Sequence, residues 1–274
     1  MNVQNAPKKT SVSTENSKTN QISKNAVIQK AGNMFRHYLL RFFFRLIVFF
    51  VTVIGYLKNR EALDFFGNHT LFSPINLLWL ILLTSFALQL SPHSKVSRGC
   101  RKQFPQTFEK IEKIADSFFL HTKLKRLNLG AMRVAIVWII PNLFFGYLYY
   151  QGIFGVPEML VITTFYYLCD VICIVFYCPF QKIFMKNKCC VTCRIFAWGT
   201  IMTVTPLIFI PHFYSWSLVT LALICTILWE VTYYRHPERF CEETNAFLTC
   251  ASCTDRLCII KRATERTEKT PSSI

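Results

Sequence analysis

Residues 157–180 read PEMLVITTFYYLCDVICIVFYCPF, and this stretch decides how the whole chain is read. A run this long and apolar, wound as an α-helix at 1.5 Å per residue, covers the ~30 Å hydrocarbon core of a bilayer. Pro157 suits the first turn of a helix and Glu158 the positive end of its dipole. One carboxylate, Asp170, sits deep in the run, too far from either end to reach headgroups comfortably.

Five more apolar segments flank this one, at 39–57, 71–90, 132–150, 195–211 and 215–234. Together they predict an all-α membrane protein of about six transmembrane helices. The chain as a whole carries 52% hydrophobic and only 17% charged residues, with 26 Phe. Its mean hydropathy of +0.31 is diluted by polar tails and one long loop. Within the spans, Ser73 and Pro74 look like an N-cap and first helical residue. Pro141 and Pro206 are expected kinks, and Pro237 stops the last span. Arg41 and Arg45, near the start of the first span, are expected to snorkel to the headgroups.

Positive charge tests this count. Lys and Arg number eight up to Arg45, then two, ten, none, four, none and seven in the successive connections and the tail. The alternation of rich and poor segments requires an even number of spans. By the positive-inside rule, both termini and the second and fourth loops are then cytoplasmic. The formal net charge of +16 belongs to this pattern and to contact with anionic lipid. It does not point to nucleic acid, because no basic face accompanies a soluble domain.

Three regions follow. Residues 1–33, polar with a single acid at Glu15, read as a disordered tail. They have neither the apolar stretch of a secretory signal nor any Arg before Arg36. Residues 34–236 form the transmembrane domain, including a cytoplasmic loop at 92–131. Residues 237–274 form a Cys-rich cytoplasmic tail. Within the loop, Phe108, Ile111, Ala115, Phe118, Thr122 and Leu129 recur at helical spacing over 106–129, opposite Lys110, Lys113, Lys123 and Arg126. The expectation is a basic amphipathic helix, resting on the leaflet or packed on neighbouring cytoplasmic segments.

The twelve cysteines are placed unevenly. Cys169 and Cys173 lie in the fourth span and Cys225 in the sixth; all the others fall on the predicted cytoplasmic side. That side is reducing, which argues against structural disulfides and for metal binding or thiol chemistry. Cys190 and Cys193 form one C-x-x-C, preceded by Cys189, and Cys250 and Cys253 form another. Adjoining Cys178 on one side, and Cys241 and Cys258 on the other, give two candidate quartets: Cys178, Cys189, Cys190, Cys193 and Cys241, Cys250, Cys253, Cys258. Four thiolates suit tetrahedral zinc or an iron–sulfur cluster. Nearby Lys186, Lys188, Arg194, Arg256 and Lys261 are expected to favour the thiolate form. A dithiol or disulfide-exchange role is the functional alternative, and the bland counterpart is a set of inert thiols or lipidation sites.

Thr163, Tyr166, Asp170, Cys173 and Tyr177 recur at alternating spacings of three and four, so they share one helical face. Desolvation alone would keep Asp170 neutral, whereas a cationic or polar neighbour would hold it ionised. Asn142, Trp198 and Arg45 are the candidate neighbours. Glu230 reads as an interfacial carboxylate beside Arg235. Tyr149, Tyr150, Trp216, Tyr233 and Tyr234 read as belt residues. No histidine lies mid-span to ligate a haem, and the chain contains no Walker loop, G-x-S-x-G or H-E-x-x-H.

Three functions follow from these features. The first is a cytoplasmic-face metalloprotein holding zinc or iron–sulfur, the cluster passing electrons toward a membrane-soluble partner beside Asp170 and the tyrosines. The second is a proton- or cation-coupled transporter or channel using Asp170, with the cysteines structural. The third is a membrane scaffold or assembly factor acting through its basic segment and tails.

Overall fold

A computed structural model describes residues 12–64, 73–91, 98–111, 117–253 and 258. Helix α1 (Val12–Lys58) is followed by α2 (Pro74–Ala87), the single turn α3 (Arg98–Arg101), and α4 (Ser117–Tyr150). Then come α5 (Val156–Val175), the short α6 (Gly199–Val204) and α7 (Phe213–Arg235). The described residues contain no strand, only an isolated bridge between Lys110 and Asn245.

Four helical stretches are long and apolar enough to cross a membrane: Phe35–Lys58, Leu120–Tyr150, Val156–Val175 and Phe213–Arg235. Their large apolar side chains are exposed in stripes, as with Leu40, Ile47 and Ile54 on α1 and Ile136, Ile140 and Leu143 on α4. Water would penalise such stripes, whereas lipid matches them. The chain is an all-helical, multi-pass integral membrane protein.

The other two apolar helical stretches, Pro74–Leu90 and Phe196–Phe209, are shorter. Proline accounts for much of this in the second. Pro206 has no amide proton to donate to the α-helical ladder, so α6 stops at Val204 and continues as a 3₁₀ turn, Thr205–Phe209. Pro141 acts differently, since α4 runs on through it. Next to it, the Asn142 side chain donates to the Trp138 carbonyl at 2.7 Å.

Several sequence expectations shift. Helix α1 begins at Val12, inside the segment read as a tail. Between Pro7 and the end of α1 no proline interrupts, and extending a helix upstream from an apolar core needs no new nucleus. The amphipathic segment is not one helix over 106–129. Residues 108–111 are non-helical, because Glu109 and Ile111 exchange backbone hydrogen bonds with Ala246 and Thr244. From Ser117 onward the segment is simply the first turns of α4. Helix α5 ends at Val175 and gives way to a π-type turn, Phe180–Met185. Ser73 occupies the N-cap position of α2, but its side chain makes no capping hydrogen bond. Part of the predicted tail is folded back on the bundle, with Phe240, Cys241, Asn245 and Leu248 buried.

The core is built by α2, α5, α6 and α7. Leu78, Leu82 and Phe86 meet Met159, Leu160 and Tyr167, with Leu218 and Ala222 closing the far side. Helix α1 packs mainly along α5. Thr163 and Thr164 are fully buried on α5, and each returns its hydroxyl to a carbonyl one turn earlier. Contacts sort the connections by end. At one end Arg60 and Tyr56 reach Glu158, while Tyr214 reaches Asn76. At the other, Lys102 reaches the 191–193 backbone, Lys123 reaches Glu243, and Lys110 bridges Asn245.

Candidate functional site

Asp170 on α5 is paired with Arg45 on α1. The guanidinium donates to Asp170 Oδ2 at 2.6 Å and to the Tyr167 carbonyl at 2.7 Å. It also lies 4.0 Å over the Tyr167 ring. The Tyr167 hydroxyl in turn meets Ser85 Oγ of α2 at 2.7 Å. Of the three candidate neighbours, Arg45 is the partner. Asn142 directs its amide to the Trp138 carbonyl, and Trp198 Nε1 donates to Glu230, at 2.7 Å. Arg45 therefore does not snorkel as expected, because a carboxylate within reach across the bundle offers a better partner than a distant headgroup.

The fit around the carboxylate depends on Gly199. A methyl group there would fall 2.2 Å from Asp170 Oδ1, so only glycine lets α6 approach this closely. Cavities lie on both sides of the aspartate. The first, of about 160 Å³, is lined by Arg41, Arg45, Ser85, Gln89 and Tyr167 as well as Asp170. The second, of about 100 Å³, is more apolar and bounded by Trp138, Tyr166 and Phe180, with Asp170 in its wall.

The second cavity also collects thiols. Cys169, Cys173, Cys178, Cys190 and Cys193 all line it. Cys190 Sγ donates to Gln181 Oε1 at 2.6 Å. Cys189 points elsewhere, packing with Val191, Phe247 and Leu248 and lying near Cys250, Cys253 and Cys258. The structure thus splits the first predicted quartet, leaving Cys178, Cys190 and Cys193 at the cavity and Cys189 with the second C-x-x-C. Cys241 is buried elsewhere, close enough to Lys102 to perturb it electrostatically. Among the described residues, no three Cys, His, Asp or Glu side chains are grouped to hold a metal ion. Of the predicted polar face on α5, Tyr166, Asp170 and Cys173 line the cavity, while Thr163 is buried against its own helix. Tyr177 lies beyond the end of α5 and is half exposed.

Thiolates were expected at this end, but burial favours thiols. Desolvation pushes Cys193 and Cys241 up to about 11 and Cys100 to about 12, and it also raises Cys189. The nearby cation is itself buried. Lys102 is fully enclosed, donating to the Val191 and Cys193 carbonyls at 3.0 and 2.7 Å and facing the Trp229 and Phe240 rings. Its enclosure lowers it to about 8. In the sequence Lys102 looked like one more loop lysine, and only its backbone partners set it apart.

A second ionic knot sits nearby. Arg194 forks onto Glu230 at 3.1 and 2.6 Å and donates to Asn128 at 2.9 Å. Glu230 is therefore held by Arg194 and Trp198, not by the expected Arg235. Arg194 gave no signal of this role beyond its count among the loop cations.

No family model, curated protein or solved structure matches this chain.

Removing one member of the Arg45–Asp170 pair strands the other in an apolar bundle. Arg45→Met and Asp170→Leu should each cost about 2–4 kcal/mol in detergent. The double variant should recover at least half of that loss, and thermal unfolding of all four proteins measures the coupling. Thiol burial gives a second test. At pH 8, exposed Cys250 should be alkylated about 100-fold faster than Cys193 or Cys241, because burial encloses those two and keeps them protonated. Site-resolved mass spectrometry after timed maleimide labelling reads the ratio.

Proposed function

We propose that the protein crosses the membrane six times, with both termini cytoplasmic, and moves a small anion together with a proton. The two shorter helices, Pro74–Leu90 and Phe196–Phe209, would be the second and fifth crossings. The alternation of Lys and Arg supports this arrangement, as does the sorting of the connections into two ends.

One observation carries the transport reading: Asp170 is neutralised by Arg45 in the wall of a cavity that Arg41 also lines. Two guanidiniums face one carboxylate, so the site has an excess positive charge and suits an anion better than the cation expected from Asp170 alone. An anion arriving at Arg45 replaces Asp170 as its counter-ion. The carboxylate so displaced is the group that carries the accompanying proton. Anion and proton thereby enter as a neutral pair. Anionic lipid contacts along the basic end complete the reading.

Reconstituted liposomes with an imposed pH gradient test it, using lactate, chloride and inorganic phosphate as labelled probes. Uptake of at least one should exceed empty liposomes. Arg45→Gln should abolish that uptake, and Asp170→Asn should leave uptake that no longer follows the pH gradient. Equal uptake by wild type and Arg45→Gln would remove the proposal.

A second reading keeps a cysteine-held zinc ion or iron–sulfur cluster. Its support is the gathering of five thiols round one cavity and the approach of Cys189 to the second C-x-x-C. The thiols would have to converge further and lose protons on binding. Elemental analysis of anaerobically purified protein should then find zinc or iron near one equivalent or above, lost in Cys190→Ser/Cys193→Ser. Metal-free protein of unchanged thermal stability rejects this reading.

A further inference from the structure

A cavity distinct from the Asp170 site lies at the Lys/Arg-rich end. Its volume is about 380 Å³, and it is walled by the first turns of α4, the segment 185–192 and residues 240–243. Lys123, Arg126, Lys186 and Lys188 line it, along with Thr122 and Thr192. Glu242 and Glu243 are the only acids in the lining. Glu243 is bound to Lys123, which leaves three cations against one carboxylate.

Loop lysines commonly sit at this end of a membrane protein simply to satisfy the positive-inside rule, splayed into solvent. Two features set this group apart. The wall is tightly fixed: a methyl group at Gly130 would come within 3.0 Å of Met185 Sδ and 3.1 Å of the Phe184 carbonyl, so the turn is seated directly on α4. Lys186 is also held at φ 50°, ψ 38°, a left-handed conformation uncommon for a residue with a side chain, and its amide donates to the Gln181 carbonyl. The chain thus turns sharply where Lys186 and Lys188 enter the rim. Cations converging on one cavity are the chemistry that recognises phosphate.

We propose that this cavity binds a multiply charged phosphate group, carried either by a lipid headgroup or by a soluble phosphate. The site is separate from the Asp170 cavity and does not depend on the transport reading.

The test uses the full chain purified in detergent. Inorganic pyrophosphate, titrated by calorimetry, stands for the soluble source. Dioleoyl phosphatidic acid, read by native mass spectrometry, stands for the lipid source, with dioleoyl phosphatidylglycerol as a control of lower headgroup charge. At least one phosphate probe should bind, more weakly as salt rises. Binding of pyrophosphate alone assigns a soluble ligand, and binding of phosphatidic acid alone assigns a lipid. Arg126→Gln and the double variant Lys186→Gln/Lys188→Gln should each weaken binding about tenfold. Lys125→Gln, on α4 but outside the lining, should leave it within twofold. Absence of binding by both probes overturns the proposal. So does an equal loss in Lys125→Gln, which would mark a diffuse surface charge.

Discussion

Arg45 and Asp170 meet inside the bundle between apolar packing layers, at a cavity that Arg41 also lines. Taking two ions out of water is costly, and their mutual attraction repays the cost only when geometry is good. Here it is good: the guanidinium is shared between the carboxylate and the Tyr167 carbonyl and lies on the Tyr167 ring. This arrangement fixes how α1 is rotated against α5. One residue of rotation would swing Arg45 by about 100°, away from its partner. Tyr167 extends the constraint to α2 through Ser85, and Gly199 extends it to α6 by leaving room for the carboxylate. Four helices are thereby held in register by one ion pair.

The same economy governs the other polar groups. Arg194, Glu230 and Trp198 form a second knot at the end where the loops are basic. Lys102 plugs the space between the 191–193 backbone and the rings of Trp229 and Phe240. Each buried cation is matched by carbonyls, a carboxylate or an aromatic face. The thiols around them are enclosed and held in the protonated form, which makes them poor nucleophiles as they stand. A metal would have to bring about both the deprotonation and the gathering of ligands.

The alternation of charge along the chain and the sorting of the connections are two views of one arrangement. Lys123, at the start of α4, contacts Glu243 beyond α7, and Arg60, just after α1, contacts Glu158 at the start of α5. The folding of residues 237–253 onto that basic end is the feature that the composition of the tail concealed. Phe240, Asn245 and Leu248 are buried there, although nothing in their local spacing suggests an element.

The sequence by itself determined the class of the protein. Long uncharged runs have no stable home in water, so the apolar helices, their approximate positions and the isolation of Asp170 could all be read from residue order. Arg45 could be named as a partner for Asp170, but not chosen over Asn142 or Trp198, since hydrophobic periodicity gives a helix's faces and not its neighbours. The tertiary structure made that choice. It also turned Glu109 and Ile111 away from a helix by pairing them with residues more than 130 positions later. Pro206 shortened α6 in a way that a proline in α4 did not. The thiol pattern was legible as spacing alone, because C-x-x-C says which sulfurs are close along the chain. Which ones share a cavity depends on how α5 and the 180–193 segment pack, and that packing separated Cys189 from Cys190 and Cys193.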